Sequence, residues 1–386
     1  MSYIGKTPTP APLTSSDITD GIITTTKIAD ANVTNPKLTS GSQQNFRNII
    51  INGDMSIAQR GTSSAGITAS GYYTVDRLQT IASSLGTWTQ SQSTDVPTGQ
   101  GFATSLKMDC TTADASPAAS DDLRLQQRFE GQMLQYLKKG TANAESLTAS
   151  FWVKSNKTGT YIVEIRDMDN SRIISKSYTI SSANTWEKKT ITYAGDTSGA
   201  LGNDNGNSFT ISFWLGGGSN YTSGTLQTSW GSLVQANRAV GQVNLADSTS
   251  NDFYITGVQL EAGTTASDFE FLPVDVNLQR CQRYYQEIES SADWQAFASK
   301  NDSTTEVYGT LSLPTSLRAS PTLNNPNFNY FDSSSSQASS GGTTTVRKVS
   351  NNNSFLTLIK SGFTSITGNR SSIITPTQDL TIDSEL

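Results

Sequence analysis

Leu147-Thr148-Ala149-Ser150-Phe151-Trp152-Val153-Lys154-Ser155 alternates with a period of two: Phe151 and Val153 face one way along an extended strand, Ser150, Trp152 and Lys154 the other. The pattern leaves open which face is buried, but a strand of this kind needs a second sheet to cover it. Runs of similar character, separated by Gly, Asn and Ser turns, occupy 49–51, 72–80, 103–110, 123–129, 159–167, 177–180, 186–193, 208–215 and 252–260. This spacing predicts an antiparallel β-sandwich over 46–273. One helical interval is expected at 132–138, where Met133, Leu134 and Leu137 recur at one-turn spacing before Gly140.

The pattern changes on both sides of the sandwich. Residues 274–300 have helix-compatible spacing around Val276, Leu278 and Ile288 and read as a short helical connector. Runs at 306–313, 327–331, 343–349, 355–360 and 371–375 predict a smaller β domain over 301–386, with 333–342 as a polar loop. At the other end, Leu13-Thr14, Ile23-Thr24 and Val33-Thr34 recur at intervals of ten, as do Ile18, Ile28 and Leu38. So thin a segment cannot bury its own aliphatics. With Pro8, Pro10, Pro12 and Pro36 opposing a continuous helix, residues 1–45 read as an extended anchor. Ile18, Ile23, Ile28, Val33 and Leu38 would dock on a partner, either another protein or identical chains around a shared axis. The fold class expected is therefore all-β throughout.

Composition excludes much chemistry. The 386 residues include no histidine, which removes Ser-His-Asp and Cys-His nucleophile systems, HExxH zinc sites and imidazole bases. The net charge of -6 argues against nucleic acid as a partner. No stretch approaches the ~20 apolar residues of a membrane span, and 1–8 carries no apolar signal core, so no membrane insertion is expected. Cys110 and Cys281 read as two separate thiols, a long-range bridge being the alternative. The 54 Ser and 51 Thr, with aromatics spread through the chain, suit strands with a polar skin.

The candidate ligand contacts are aromatic. Trp214, beside the Gly216-Gly217-Gly218-Ser219-Asn220-Tyr221 loop, together with Tyr221, Trp230 and then Trp152, would offer ring faces to the C–H side of a sugar. Glu130, Glu145, Glu164, Asp252 and Glu261 are the carboxylates from which a glycosidase pair would be drawn, although sequence gives no distance between any two. No catalytic residue is assigned.

Several blocks resemble a known family. These are 48–61 (Asn-Ile-Ile-Ile-Asn-Gly-Asp-Met-Ser-Ile-Ala-Gln-Arg-Gly), Tyr73-x-x-Asp76-Arg77, Gln127-Arg128-Phe129-Glu130-Gly131, the 147–155 strand, and 253–263. Together they resemble the carbohydrate-binding-module-like jelly roll of tailed-phage tail fibres. Cys281-Gln282-Arg283-Tyr284-Tyr285 and 313–322 are similar to segments that follow it, and 22–30 to the amino-terminal regions of marine and cyanobacterial phage fibres. The resemblance implies a virion tail protein, a homotrimer held to the tail or baseplate through residues 1–45 and exposing β domains to a host surface glycan, without enzymatic activity. In jelly rolls of this kind a structural calcium often lies between the first and last strands; the corresponding positions are Asn52, Asp54 and Asp252, although Asp54 equally suits capping a turn. The alternatives are a structural head or tail decoration that binds only virion neighbours and, in another class, a polysaccharide depolymerase.

Overall fold

The strand expected at 146–154 is observed at Leu147–Ser155; the face that enters the core is that of Leu147, Ala149, Phe151 and Val153, while Trp152 and Lys154 lie partly exposed on the other. The computed structural model describes residues 46–288, 290, 297–324, 326–332, 336–339, 341–349, 355–368 and 370–386. The 1–45 anchor, with Ile18, Ile23, Ile28, Val33 and Leu38, lies outside them.

Eleven strands make the sandwich: β1 (Ser63–Gly71), β2 (Gln79–Ser93), β3 (Ser105–Thr112), β4 (Asp122–Glu130), β5 (Leu147–Ser155), β6 (Gly159–Asp167), β7 (Arg172–Ile180), β8 (Glu187–Tyr193), β9 (Asn207–Gly217), β10 (Gly231–Ser232) and β11 (Asp252–Ala262). Their hydrogen-bonded order is β10-β7-β6-β9-β4-β2-β3-β11-β5-β8, with β1 on β2. The ladder folds into two layers at β2, which pairs with β4 over Gln79–Ser84 and with β3 over Thr87–Ser93. The corner has a local cause. Ser84 and Gly86 both take positive φ, and a Cβ on Gly86 would lie 2.7 Å from the Thr112 carbonyl oxygen. Rings from opposing layers meet between them: Phe151 of β5 contacts Phe213 of β9 edge-on at 5.1 Å, and Tyr161 of β6 lies 5.7 Å from Phe253 of β11.

Most expected strands are present, and the differences have physical reasons. Residues 49–51 and 72–78 are irregular; Ile50 and Ile51 are buried, but their amides bond the Asn48 and Gln127 side chains instead of a ladder. β1 and most of β2 escaped the reading because Ser, Thr, Gln and Gly dilute their alternation. The helix expected at 132–138 is two 3₁₀ turns, Gly131–Met133 and Gln135–Leu137, which still bury Leu134 and Leu137. Leu134, at φ -116° and ψ 5° between the two turns, and Lys138, left-handed at φ 51° after them, interrupt a continuous α-helix.

A short helix α1 (Ser219–Thr222) follows β9, and α2 (Val274–Gln282) follows β11. Among the described residues of the connector expected over 274–300, the helical stretch is α2, after which the chain re-enters a sheet at β12 (Tyr285–Ile288). Beyond it are β13 (Phe297–Asn301), β14 (Glu306–Ser312), β15 (Thr322–Leu323), β16 (Phe328–Phe331), β17 (Ser336–Ala338), β18 (Thr344–Val349), β19 (Phe355–Ser361), β20 (Ser371–Pro376) and β21 (Leu380–Asp383). They form a three-stranded sheet, β12-β21-β15, and a seven-stranded one, β17-β16-β20-β13-β14-β19-β18, over a core that includes Phe328, Tyr330, Leu358 and Ile374. This core and the sandwich belong to one compact unit, Arg47–Leu386. Ile51 and Ile57 pack with Cys281 and Tyr284 between them.

Candidate functional site

Trp152 stands on the outward face of β5, opposite Thr256 of β11 and Lys188 of β8. Next to Thr256 the register of β11 shifts and Gly257 takes φ +61°; a Cβ there would lie 2.5 Å from the Phe102 ring. Glycine therefore lets Phe102 lie on the strand, where its ring joins Phe269 and Phe271 at centroid distances of 5.1, 5.1 and 4.8 Å. Trp152 and this triad flank a depression of about 190 Å³, into which Gln100, Ser150, Lys188 and Asp268 also face. An aromatic wall with amide, hydroxyl, ammonium and carboxylate groups at its rim can stack a sugar ring and bond its hydroxyls.

The same sheet face continues past Lys154. Trp186 donates its indole N–H to Asp95 at 2.9 Å, and Lys154 lies 4.3 Å from the Tyr254 ring centroid and 5.7 Å from that of Trp186. Burial alone would raise the Asp95 carboxyl, but hydrogen bonds from Lys154 and Trp186 hold it below its usual range. Burial raises the Tyr254 phenol. Trp152 was among the aromatic candidates of the sequence, although β5 alone left open which of its faces is covered. The Phe102–Phe269–Phe271 triad was not, its only trace being Phe269-x-Phe271 after the last sandwich strand and Phe102 after a glycine turn.

The other aromatic candidates do not join it. Trp214 is 0% exposed on the outer face of β9, in the opposite layer. The chain after Gly218 turns back over it, so that Tyr221 and Ala239 pack on the indole, and the Arg124 and Arg238 guanidiniums lie 4.8 and 4.9 Å from it. The Gly-Ser-Asn run is thus the start of a cover, and Trp214 has no free face to offer. Tyr221 is half-buried and lines a separate open depression of about 450 Å³ with Asn220 and Gln235. Trp230 is half-buried against Phe209 and donates its indole N–H to the Ala194 carbonyl.

The positions matched to a calcium site do not come together. The Asn52 amide donates to the carbonyls of Ile57 and Asp76 at 2.8 and 3.0 Å and accepts from the Ile57 N–H, which closes a turn. Asp54 accepts from Asn277 at 3.1 Å. Asp252 accepts from the Asn156 N–H and sits four residues along β11 from Thr256, the residue that reaches the Asp54 carbonyl. At about 3.4 Å per residue that is ~14 Å of strand. Among the described residues no group of three or more Cys, Asp or Glu side chains could hold a metal ion.

The five carboxylates weighed for hydrolysis all have partners. Glu130 takes both arms of Arg283 and the Tyr284 hydroxyl, Glu164 both arms of Arg238, and Glu145 the Lys138 ammonium. Glu261 accepts from Ser267 and Gln259, and Asp252 caps Asn156. Cys110 and Cys281 are both buried and free, so the separate-thiol reading holds.

No protein-family model matches the chain, and no curated protein matches it. Among solved structures it is similar to the enzymatically active domain of tailspike protein 4 of bacteriophage CBA120, at 14% identity and TM-score 0.30 over 56% of this chain; the match spans about a fifth (21%) of the tailspike chain. It is also similar to TmCBM61 in complex with β-1,4-galactotriose (9% identity, TM-score 0.27, 56% of this chain, 99% of that one). A third is the C-terminal family 22 carbohydrate-binding module of Clostridium thermocellum Xyn10B (12% identity, TM-score 0.28, 54% of this chain, 98% of that one).

Proposed function

We propose that this chain is a non-catalytic carbohydrate-binding protein of a phage tail fibre, a homotrimer anchored to the tail or baseplate through residues 1–45 and binding a host surface glycan. The observation that carries the binding reading is the Trp152 groove, where a partly exposed indole faces a phenylalanine triad with polar groups at its rim. A pyranose stacked on Trp152 would place its equatorial hydroxyls toward Gln100, Asp268 and Lys188, with Ser150 at the floor. The pairing of all five weighed carboxylates favours binding over hydrolysis. The tail-fibre assignment draws on the ordered blocks of sequence resemblance.

The test is glycan-array binding of the full chain beside Trp152→Ala, with the mass of both measured by light scattering. A particle about three times 41.4 kDa that binds a defined glycan, with binding lost in the variant, supports the reading. Equal binding by the variant overturns the groove. A wild-type monomer overturns the fibre. A trimer that binds no glycan and no host cell leaves a virion decoration protein as the better account.

A further inference from the structure

The layer opposite the Trp152 groove carries three cross-strand rows on its outer face. Strand pairing aligns Arg124 of β4 with Trp214 of β9, Gln126 with Ser212 and Glu164 of β6, and Arg128 with Thr210 and Arg166. The segment after β9 covers the first row and supplies Arg238, which takes Glu164 in a two-armed bond at 2.7 and 2.7 Å. Arg124 is paired with Asp122, and Arg128 donates to the Leu386 carbonyl. Arg166 is half-buried and has no hydrogen-bond partner among the described residues. The face thus gathers four guanidiniums, Arg124, Arg128, Arg166 and Arg238, against the two carboxylates Asp122 and Glu164, both already engaged, in a chain whose net charge is -6.

The unpartnered atoms there share one chemistry. Arg124 Nε, Arg166 Nε and Trp214 Nε1 are buried without an acceptor, and all three are donors only. Ser212 and Ser175, 1% and 0% exposed on the same face, also have unpartnered hydroxyls. Buried donors without acceptors are rare in folded proteins and destabilising. Burial, with the charges of Arg238, Arg124 and Arg128, pushes the Arg166 guanidinium below its usual range, Glu164 opposing them. Of the three donor-only atoms, Arg166 Nε alone lies outside the covered first row, and an acceptor-rich anion there relieves both its missing bond and the crowding of positive charge.

We propose that the Arg128–Thr210–Arg166 row binds a carboxylate- or sulfate-bearing sugar residue, its anionic group held by the two-armed Arg166 guanidinium beside half-exposed Arg128. This second site lies on the other layer from the Trp152 groove and shares with the reading above only the class of ligand. A guanidinium suits the task because its planar fork matches a carboxylate or sulfate with two parallel bonds.

The test is calorimetric titration of the full chain with tetragalacturonate, a neutral galactan tetrasaccharide and sodium sulfate, alongside labelling of Arg166 by phenylglyoxal. The expected result is binding of tetragalacturonate that weakens with salt, is on the order of tenfold or more weaker in Arg166→Gln, and persists in Trp152→Ala. In the wild type, tetragalacturonate should protect Arg166 from phenylglyoxal, a readout that does not depend on any variant folding. Equal affinity for the neutral and acidic saccharides, or wild-type affinity in Arg166→Gln, overturns the site. Sulfate binding as tightly as tetragalacturonate overturns the sugar assignment and leaves a simple anion site. Loss of binding in Trp152→Ala but not in Arg166→Gln places the acidic sugar in the groove and likewise overturns the proposal.

Discussion

Arg77 and Glu385, 308 positions apart, form an ion pair in which the fully buried arginine also lies 3.4 Å from the Tyr284 ring centroid. Arg60 stacks on Tyr285 in the same way at 3.5 Å, and Arg318 donates to the carbonyls of Ser384 and Glu385. Arg60 and Arg77 of the sandwich, with Arg318 of the smaller β domain, thus clasp the aromatic pair after α2 and the chain beyond β21, which joins the two β cores.

Glu385→Gln tests that clasp. The substitution leaves the Arg77 charge buried without its counter-ion, and breaking one side of such a pair costs about 3–5 kcal/mol. The denaturant midpoint of the full chain should fall accordingly, and Arg77→Met combined with Glu385→Leu should recover part of the loss. A change below about 1 kcal/mol in the single variant would show that packing around Tyr284 holds the seam without the charges.

Asp76 should make the same region pH-sensitive. Burial pushes its carboxyl up to about 6 from 3.8; hydrogen bonds from Gln59 and the Arg60 charge oppose the rise, and Glu385 adds to it. The folded state therefore binds the proton more tightly than the unfolded one. The stabilisation from protonated Asp76 is complete below about pH 4 and is lost as pH rises through about 6. Two pH units correspond to on the order of 3 kcal/mol. Wild-type stability should decline between pH 4 and 7 relative to Asp76→Asn; parallel profiles for the two proteins would remove Asp76 as the cause.

Trp214 and Trp152 should behave as opposites. Trp214→Ala removes a fully buried indole from between two guanidiniums and should lower stability by about 3–5 kcal/mol. Trp152→Ala removes a partly exposed ring and should cost about 1 kcal/mol or less while abolishing glycan binding at the groove. Thermal melts and binding assays on both variants decide it; a stable Trp214→Ala protein that has lost glycan binding would reverse the assignment.

The thiols should be silent in the native state. Burial raises Cys110 to about 11 and Cys281 well above the usual thiol range, and neither is bonded to the other. Ellman's reagent at pH 8 should find no reactive thiol before denaturant is added and two afterwards. Rapid labelling of the native chain would show that one of these sites opens.

The strands of the sandwich and of the smaller β domain were largely legible because alternation is a local property: Phe151 and Val153 against Trp152 and Lys154 specify a half-covered strand without reference to anything distant. Where outward positions are Ser and Gln, as in Gln79–Ser93, the contrast fades and most of the longest strand among the described residues escapes notice. The reading of Trp214 failed for another reason. An outward-facing indole beside a glycine run has the same sequence signature whether or not the following residues fold back, and here they do.

Local sequence therefore settles fold class and puts Trp152 on the opposite face of its strand from Phe151 and Val153, because strand period and turn chemistry act over a few residues. Which aromatic stays open, which carboxylate is spoken for and which arginine is left over depend on pairs such as Glu164 with Arg238, 74 positions apart, and Arg77 with Glu385. Burial and charge pairing are properties of neighbours in space, and only the folded chain brings those neighbours together.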